Sequence, residues 1–249
     1  MNTKTENITD IEERVENLLG RMNIDQKIGQ MIQTERMAIT PREVKENHIG
    51  SVLSGGGSTP GSNQLSDWVE MNDAYWEASV AEDENHLSIP LLYGVDAIHG
   101  HNNVKGATIF PHNIGLGATR DPDLLRRAQV TAREILASGV EWTFAPTLAV
   151  ARDMRWGRMY ESYSEDPELV SWYAKPFVEG LQGDLKDDSV IACVKHWVGD
   201  GGTSYGIDQG DTAMSEDELR RIHMPPYIPA LKAGTLTVMV SFNSWNGDK

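Results

Sequence analysis

Short apolar stretches alternate with longer amphipathic stretches along this chain of 249 residues. The short ones are rich in β-branched residues and bounded by polar residues or glycine, a pattern typical of buried parallel strands. The longer ones repeat apolar residues at helical spacing. The predicted strands cover residues 49–54, 89–96, 142–146, 190–196 and 237–242. The predicted helices cover residues 11–19, 22–33, 66–80, 122–138, 168–183 and 216–233.

Capping and stop residues support several of these helices. Asp10 is the predicted N-cap of the first helix, and Asp121 and Gly139 bound the helix between them. Pro225, Pro226 and Pro229 are expected to kink or interrupt the last helix, because proline lacks the amide hydrogen that a helix interior uses.

Strands and helices alternate without a break in composition, which predicts a parallel sheet in one domain over residues 1–249. The predicted class is therefore α/β. We count about six strand–helix units, two fewer than a closed (β/α)8 barrel contains. The expected fold is such a barrel, incomplete at its carboxyl end.

The formal net charge of −15 argues against binding to nucleic acid or to an anionic membrane, since both need a basic surface. Cys193 is the only cysteine, which excludes an internal disulfide and a cysteine-based metal cluster. No apolar run approaches the length that crosses a bilayer, and the amino terminus carries no secretion signal. These observations leave the localisation open.

Three candidate site residues lie where predicted strands end. Asp96 ends one strand, and parallel α/β folds bind ligands at the carboxyl ends of their strands. Lys195 and His196 are adjacent, so both can face a pocket only where the strand ends and a twist or bulge redirects one of them. The structural alternatives are an N-cap for Asp96, a salt bridge to a helix for Lys195 and a core position for His196.

A loop dense in charged residues follows the strand over residues 142–146. We expect one of its arginines to contact a ligand and the others to pair with neighbouring carboxylates. The arginines are Arg152, Arg155 and Arg158, and the carboxylates are Asp153, Glu161 and Glu165.

Two kinds of site can be built from these residues. A metal-dependent barrel hydrolase would use His99 and His101, with Asp96, His112 and His196 as further ligands. A sugar site would use charged groups from several strand ends, because each sugar hydroxyl both donates and accepts hydrogen bonds. Its members would be Asp96, Arg158, Lys195 and His196.

Five motifs, in order along the chain, resemble the amino-terminal barrel domain of glycoside hydrolase family three, and most closely its β-glucosidases and exo-acting β-glucan glucohydrolases. They are VLSGGGS (52–58), YGVDAIHGHNNVKGATIFPHNIGLGATRDP (93–122), FAPTLAVARDMRWGRMYESYSEDP (144–167), KHWVGDGG (195–202) and VMVSFNSWNG (238–247).

The resemblance implies a role for each site residue. Asp96 matches the carboxylate that holds hydroxyls of the innermost glucose, and Arg158, Lys195 and His196 match the residues that bind its remaining hydroxyls. Arg155 is expected to pair with Glu161 instead. Gly57 and Phe242 are expected at the subsite wall, and Phe242 stands where some relatives have a tyrosine.

The resemblance also implies hydrolysis with retention by two carboxylates, with no metal and no cofactor. The nucleophile of the family lies in a motif expected beyond Lys249, and the acid/base in a second domain or a later loop. Asp248 lacks the strand context of the nucleophile. We therefore expect no catalytic residue and no useful turnover in this chain. The expected partner is a missing carboxyl-terminal domain, and the expected substrate is a β-glucoside or β-glucan oligosaccharide. A non-catalytic sugar-binding relative is the alternative, and periplasmic or secreted relatives are common.

Overall fold

A computed structural model describes residues 3–186 and 188–249. The chain divides into two compact units, one made of Met1–Leu53 and Met71–Tyr93 and the other of Ser54–Glu70 and Gly94–Lys249. No helix among the described residues is long and apolar enough to cross a membrane.

The first unit begins with helices and contains a pair of short parallel strands. Asn23 and Thr40 each form a capping box with the residue three positions later, which satisfies amide groups at a helix start. Strands β1 and β2 pair in parallel, with Gln33 opposite Ser51. The elements that lie wholly or mainly here are α1 (Thr3–Arg21), α2 (Ile24–Gln30), β1 (Gln33–Glu35), α3 (Pro41–Glu46) and β2 (Ser51–Ser54).

Three elements cross the division along the chain: β2, whose last residue belongs to the second unit, α4 (Leu65–Val80) and β3 (Leu92–Val95). The helices of the second unit are α5 (Asn113–Thr119), α6 (Ala128–Ala137), α7 (Pro167–Gln182), α8 (Glu216–Ile222) and α9 (Tyr227–Lys232). Its strands are β4 (Trp142–Thr143), β5 (Ile191–Trp197), β6 (Asp211–Thr212), β7 (Thr237–Val240) and β8 (Ser244–Trp245).

In the second unit the end of β3 pairs in parallel with β4, β4 with β5, and β5 with β7. A separate pair is formed by β6 and β8. Helix α7 packs against α6 and α9. Val95, Phe144 and Val194 are almost completely buried beside these strands, as the apolar runs predict. The fold is thus α/β, with parallel strands and intervening helices of an incomplete (β/α)8-type barrel.

All five predicted strands are present; four are shorter than their apolar runs, and β5 has the predicted length but begins and ends one residue later. Pro225 and Pro226 lie where the last predicted helix is interrupted, since α8 ends at Ile222 and α9 begins at Tyr227, whereas Pro229 lies in the first turn of α9. Three helix predictions are wrong in detail. The helix over 22–33 ends early, because α2 ends at Gln30 and Gln33 begins β1. Asp10 lies inside α1 rather than at its start, and the helix over 122–138 is a 3₁₀ segment, Pro122–Arg127, followed by α6. Asp121 still caps that segment through the amide of Asp123.

Candidate functional site

The carboxylate of Asp96 and the ammonium group of Lys195 form a partly buried ion pair. Asp96 directly follows β3, and Lys195 lies near the end of β5. Lys195 Nζ donates to Asp96 Oδ1 at 2.6 Å, with the lysine side chain 4% exposed and the aspartate side chain 32% exposed. The two residues are 99 positions apart in sequence, so the parallel strands bring them together.

A bulge in β5 explains how adjacent residues can both serve one site. Lys195 lies opposite Met239, but Trp197 lies opposite Val240, so His196 is the extra residue on its strand. An extra residue locally changes the direction of the side chains that follow it. The bulge required by the Lys195–His196 pair is therefore present, and both side chains are largely buried.

Arg158 is held by Glu161 at two points. Its Nε donates to Glu161 Oε1 at 2.7 Å and its Nη2 donates to Oε2 at 2.8 Å. The 3₁₀ segment Met159–Glu161 follows Arg158 directly and puts the two side chains one turn apart. A two-point contact of this kind orients the planar guanidinium group.

The pKa values of this pair reflect its burial and its mutual charge. Burial disfavours the charged form of both groups, yet their hydrogen bonds and opposite charges outweigh it. The pKa of Arg158 is raised and the pKa of Glu161 is lowered. The charge of Lys195 also lowers the pKa of Glu161, which links this pair electrostatically to the pair of Asp96 and Lys195.

The imidazole of His196 lies between a carboxylate and the guanidinium group. Its Nδ1 is 2.7 Å from Asp200 Oδ2, and its Nε2 is 3.3 Å from Arg158 Nη2. Asp200 begins a 3₁₀ turn after Gly199, whose φ of 98° favours glycine. A side chain on Gly201 would meet the Val150 carbonyl oxygen, because its Cβ would lie 2.4 Å away.

The four residues predicted for the sugar site form two hydrogen-bonded pairs in the structure, which are linked through the adjacent residues Lys195 and His196 and are together called the network below. Asp96 pairs with Lys195, and Arg158 contacts His196. Within the described part of the chain, hydrogen bonds are formed by Asp96 Oδ1 and by the Nε and Nη2 atoms of Arg158. Three groups have no hydrogen-bond partner among these residues: Asp96 Oδ2, Arg158 Nη1 and two hydrogens of Lys195 Nζ. These groups can form hydrogen bonds to a ligand.

In the described part of the chain, no hydrogen bond or aromatic ring contact joins Gly57 or Phe242 to this network. Gly57 has a φ of 83° in an exposed turn after β2, and its carbonyl accepts from the Thr59 amide. Phe242 follows β7 with its ring 75% exposed, and its carbonyl accepts from Lys249 Nζ. Their place at a subsite wall stays a prediction.

The pairing predicted for Arg155 is wrong. Its Nη2 donates to Asp153 Oδ2 at 2.6 Å, while Glu161 is the partner of Arg158. Asp153 also accepts from the Arg155 backbone amide, so a local turn holds this pair together. Arg152 donates to the backbone carbonyl of Glu165 rather than to its carboxylate.

The histidines of the predicted metal site have different partners. His99 contacts the Phe110 carbonyl at 2.9 Å and stacks on His112, with ring centroids 3.9 Å apart. His101 is fully buried against Trp68, and its Nε2 lies 3.0 Å from Ser138 Oγ. In residues 3–186 and 188–249, no three histidine, cysteine or acidic side chains are grouped to hold a metal ion. The geometry therefore does not assemble the metal-dependent alternative.

Sequence reasoning named Glu161 as a partner of the wrong arginine, and it did not identify Asp200 or Thr147. Glu161 and Asp200 orient Arg158 and His196, and Thr147 Oγ1 donates to Glu161 Oε2 at 3.3 Å. A signal was present in the spacing, since Glu161 is three residues from Arg158 and Asp200 is four residues from His196. Spacing alone did not show which of the nearby arginines Glu161 contacts.

Comparison with known proteins shows the family of the chain. Residues 23–249 match the model of the glycosyl hydrolase family 3 N terminal domain. The chain belongs to glycosyl hydrolase family 3. A lysosomal beta glucosidase of Dictyostelium discoideum is 32% identical over 259 residues, which cover 94% of this chain and 31% of that protein. The family 3 chain thus spans about a third of this relative's length.

Solved structures of similar proteins share the fold. The Q683A mutant of the exo-1,3/1,4-beta-glucanase ExoP from a Pseudoalteromonas species superposes with a TM-score of 0.91 at 48% identity, over 96% of this chain and 40% of that one. A D270A mutant of a beta-glucosidase from Listeria innocua, solved in complex with laminaribiose, gives a TM-score of 0.78 at 34% identity, over 95% of this chain and 33% of that one.

Proposed function

We propose that this chain supplies the glucose-holding subsite of an enzyme that releases terminal β-linked glucose from oligosaccharides or glucosides. The observation that carries the proposal is the network of Asp96, Lys195, Arg158 and His196, which has both donors and an acceptor left available. The named activities of the relatives, beta-glucosidase and exo-1,3/1,4-beta-glucanase, support the same substrate class.

The chemistry of the network suits neighbouring hydroxyls on a sugar ring. Asp96 Oδ2 can accept from one hydroxyl while the adjacent Lys195 ammonium donates to the next. Arg158 Nη1 offers two further hydrogens. Hydrogen bonds to charged groups are stronger than neutral ones, and they can strengthen further as the ring distorts toward the transition state.

The carboxylates within this network are engaged by other groups. Asp96 is bound by Lys195, Glu161 by Arg158 and Asp200 by His196. We therefore assign them to holding roles, and we propose that the nucleophile and the acid/base of a retaining mechanism come from other segments of the polypeptide. On this proposal the present chain binds glucose without useful turnover.

Glucose binding to the 249-residue chain tests the proposal. Chemical-shift changes in NMR spectra during a glucose titration give the affinity of the wild type and of Arg158→Met and Lys195→Met variants. Each variant is expected to bind about tenfold or more weakly, because a charge-assisted hydrogen bond is lost. Arg155→Met is the matched control, since Arg155 belongs to the same RWGR sequence but pairs with Asp153.

Two outcomes would contradict the proposal. Wild-type affinity in both variants would remove Arg158 and Lys195 from the subsite. Hydrolysis of a chromogenic β-glucoside by the purified chain at an ordinary enzymatic rate would show that it carries its own nucleophile. Glucose binding with no hydrolysis by a longer polypeptide that contains this chain would instead favour a non-catalytic sugar-binding relative.

A further inference from the structure

The hydrogen-bond partners of His196 determine where its proton lies. Arg158 has only donors on its guanidinium group. One hydrogen of Arg158 Nη2 goes to Glu161 Oε2, and the other is directed at His196 Nε2, 3.3 Å away. His196 Nε2 must therefore present a lone pair, since a hydrogen there would face the hydrogen of Nη2.

The other ring nitrogen has the opposite environment. His196 Nδ1 lies 2.7 Å from a carboxylate oxygen of Asp200, which is a strong acceptor. A single proton on Nδ1 satisfies both contacts. A doubly protonated ring would satisfy Asp200 but would place two donors against each other at Nε2.

We propose that Asp200 is a positioning residue, which holds His196 as the neutral form protonated on Nδ1. The Nε2 lone pair is then directed into the site, where it accepts from Arg158 or from a sugar hydroxyl. This inference rests on the proposed glucose subsite, because Asp200 acts on the ligand only through His196. It predicts that the negative charge matters less than the acceptor atom beside Nδ1.

The backbone around Asp200 is suited to this role. Asp200 is 8% exposed and lies on the tight turn whose Gly201 packs against the backbone of Val150. Besides His196, the titratable groups whose charges interact with that of Asp200 include Arg158, His223 and Tyr227. Arg158 is fixed independently by Glu161, so both neighbours of the imidazole are held in place.

Nitrogen-15 NMR of the histidine rings in the 249-residue chain gives the test. Wild-type His196 is expected to show a protonated Nδ1 and an unprotonated Nε2. Asp200→Leu removes the acceptor, so the proton should move substantially to Nε2. Asp200→Asn keeps an acceptor oxygen and should restore the wild-type pattern. Asp208→Asn is the control. The charge of Asp208 also raises the pKa of Arg158, but its carboxylate accepts a hydrogen bond from Trp156 rather than from His196.

Glucose titrations of the same variants complete the experiment. Asp200→Leu should bind about tenfold more weakly, while Asp200→Asn and Asp208→Asn should stay within about threefold of the wild type. A wild-type proton on Nε2, or an unchanged pattern in Asp200→Leu, would overturn the role of Asp200. A wild type with the expected proton position but no glucose binding would overturn the proposed function instead.

Discussion

The two arginines of the RWGR sequence are chemically identical but lie in different environments. Arg155 and Arg158 are three positions apart, and each makes a two-point ion pair with a nearby carboxylate. The side chain of Arg155 is 65% exposed and that of Arg158 is 32% exposed. Their carboxylate partners differ in the same direction, since Asp153 is 22% exposed and Glu161 is 6% exposed. Only the second pair lies in the network with His196 and Lys195, and that position gives Arg158 its proposed function.

Removing the buried carboxylate should therefore destabilise the fold. Glu161→Gln replaces one acceptor of the Arg158 guanidinium with an amide donor, which leaves a partly buried cation poorly paired. We expect a loss of about 3 kcal/mol in the free energy of unfolding, measured by urea denaturation. Asp153→Asn is the matched control at the exposed pair and should have little effect, because solvent screens it. Equal losses in the two variants would contradict the difference in environment.

At the scale of elements, α5 supports the loop that carries Arg158. Asn113 at the start of α5 donates to the backbone carbonyl of Glu161 at 2.7 Å. Gly117 in the same helix lies so close to the chain that a Cβ there would be 1.8 Å from the Tyr163 carbonyl oxygen. The helix thus packs directly on the segment that directly follows Arg158.

A methyl group on Gly117 tests this packing. Gly117→Ala must push α5 and the segment around Tyr163 apart, so it should lower the free energy of unfolding by about 2 kcal/mol. It should also weaken glucose binding if Arg158 shifts with the loop. Gly20→Ala in α1 is the control, because a Cβ there meets nothing within 4 Å and alanine favours a helix. A Gly117→Ala variant as stable as Gly20→Ala would contradict the close approach.

At the scale of the whole molecule, two buried histidines couple stability to pH. Burial lowers the pKa of His101 to about 4, and burial likewise lowers the pKa of His223 to about 4. Ser138 Oγ donates to the Ile135 carbonyl, so His101 Nε2 must donate to Ser138, and Nδ1 is left buried without a partner among the described residues. In the folded state both rings therefore stay neutral over the pH range in which a histidine of ordinary pKa begins to bind a proton.

The unfolded chain accordingly binds protons first as the pH falls below about 6.5. Stability should be full above that pH and should fall between about pH 6.5 and pH 4, with each histidine contributing up to about 3 kcal/mol. Urea denaturation across this range measures the slope. His101→Gln and His223→Gln should each reduce the slope by about 1.4 kcal/mol per pH unit, and the double variant by twice that amount. An unchanged slope in the double variant would contradict this account.

Local pattern determined much of what the sequence predicts correctly. Strand and helix periods and proline positions depend on neighbours along the chain, so the parallel α/β class could be predicted from them. The order of the motifs carries the family resemblance, and from that resemblance Asp96, Lys195, His196 and Arg158 are predicted to form the sugar site. Short elements such as β1 and α3 have too few residues to show a period. The sequence does not distinguish an aspartate at the start of a helix from one inside it, and it therefore predicts a cap at Asp10.

Only the tertiary structure decided which charges meet. The pairing of Lys195 with Asp96 spans 99 positions and depends on the register of parallel strands. Arg158 rather than Arg155 pairs with Glu161, and His99 and His101 have different partners. Both results depend on burial and on the direction in which each side chain leaves the backbone. Ion pairs and hydrogen bonds act over a few ångströms in space, so their partners are determined by the fold and not by the spacing of residue types alone.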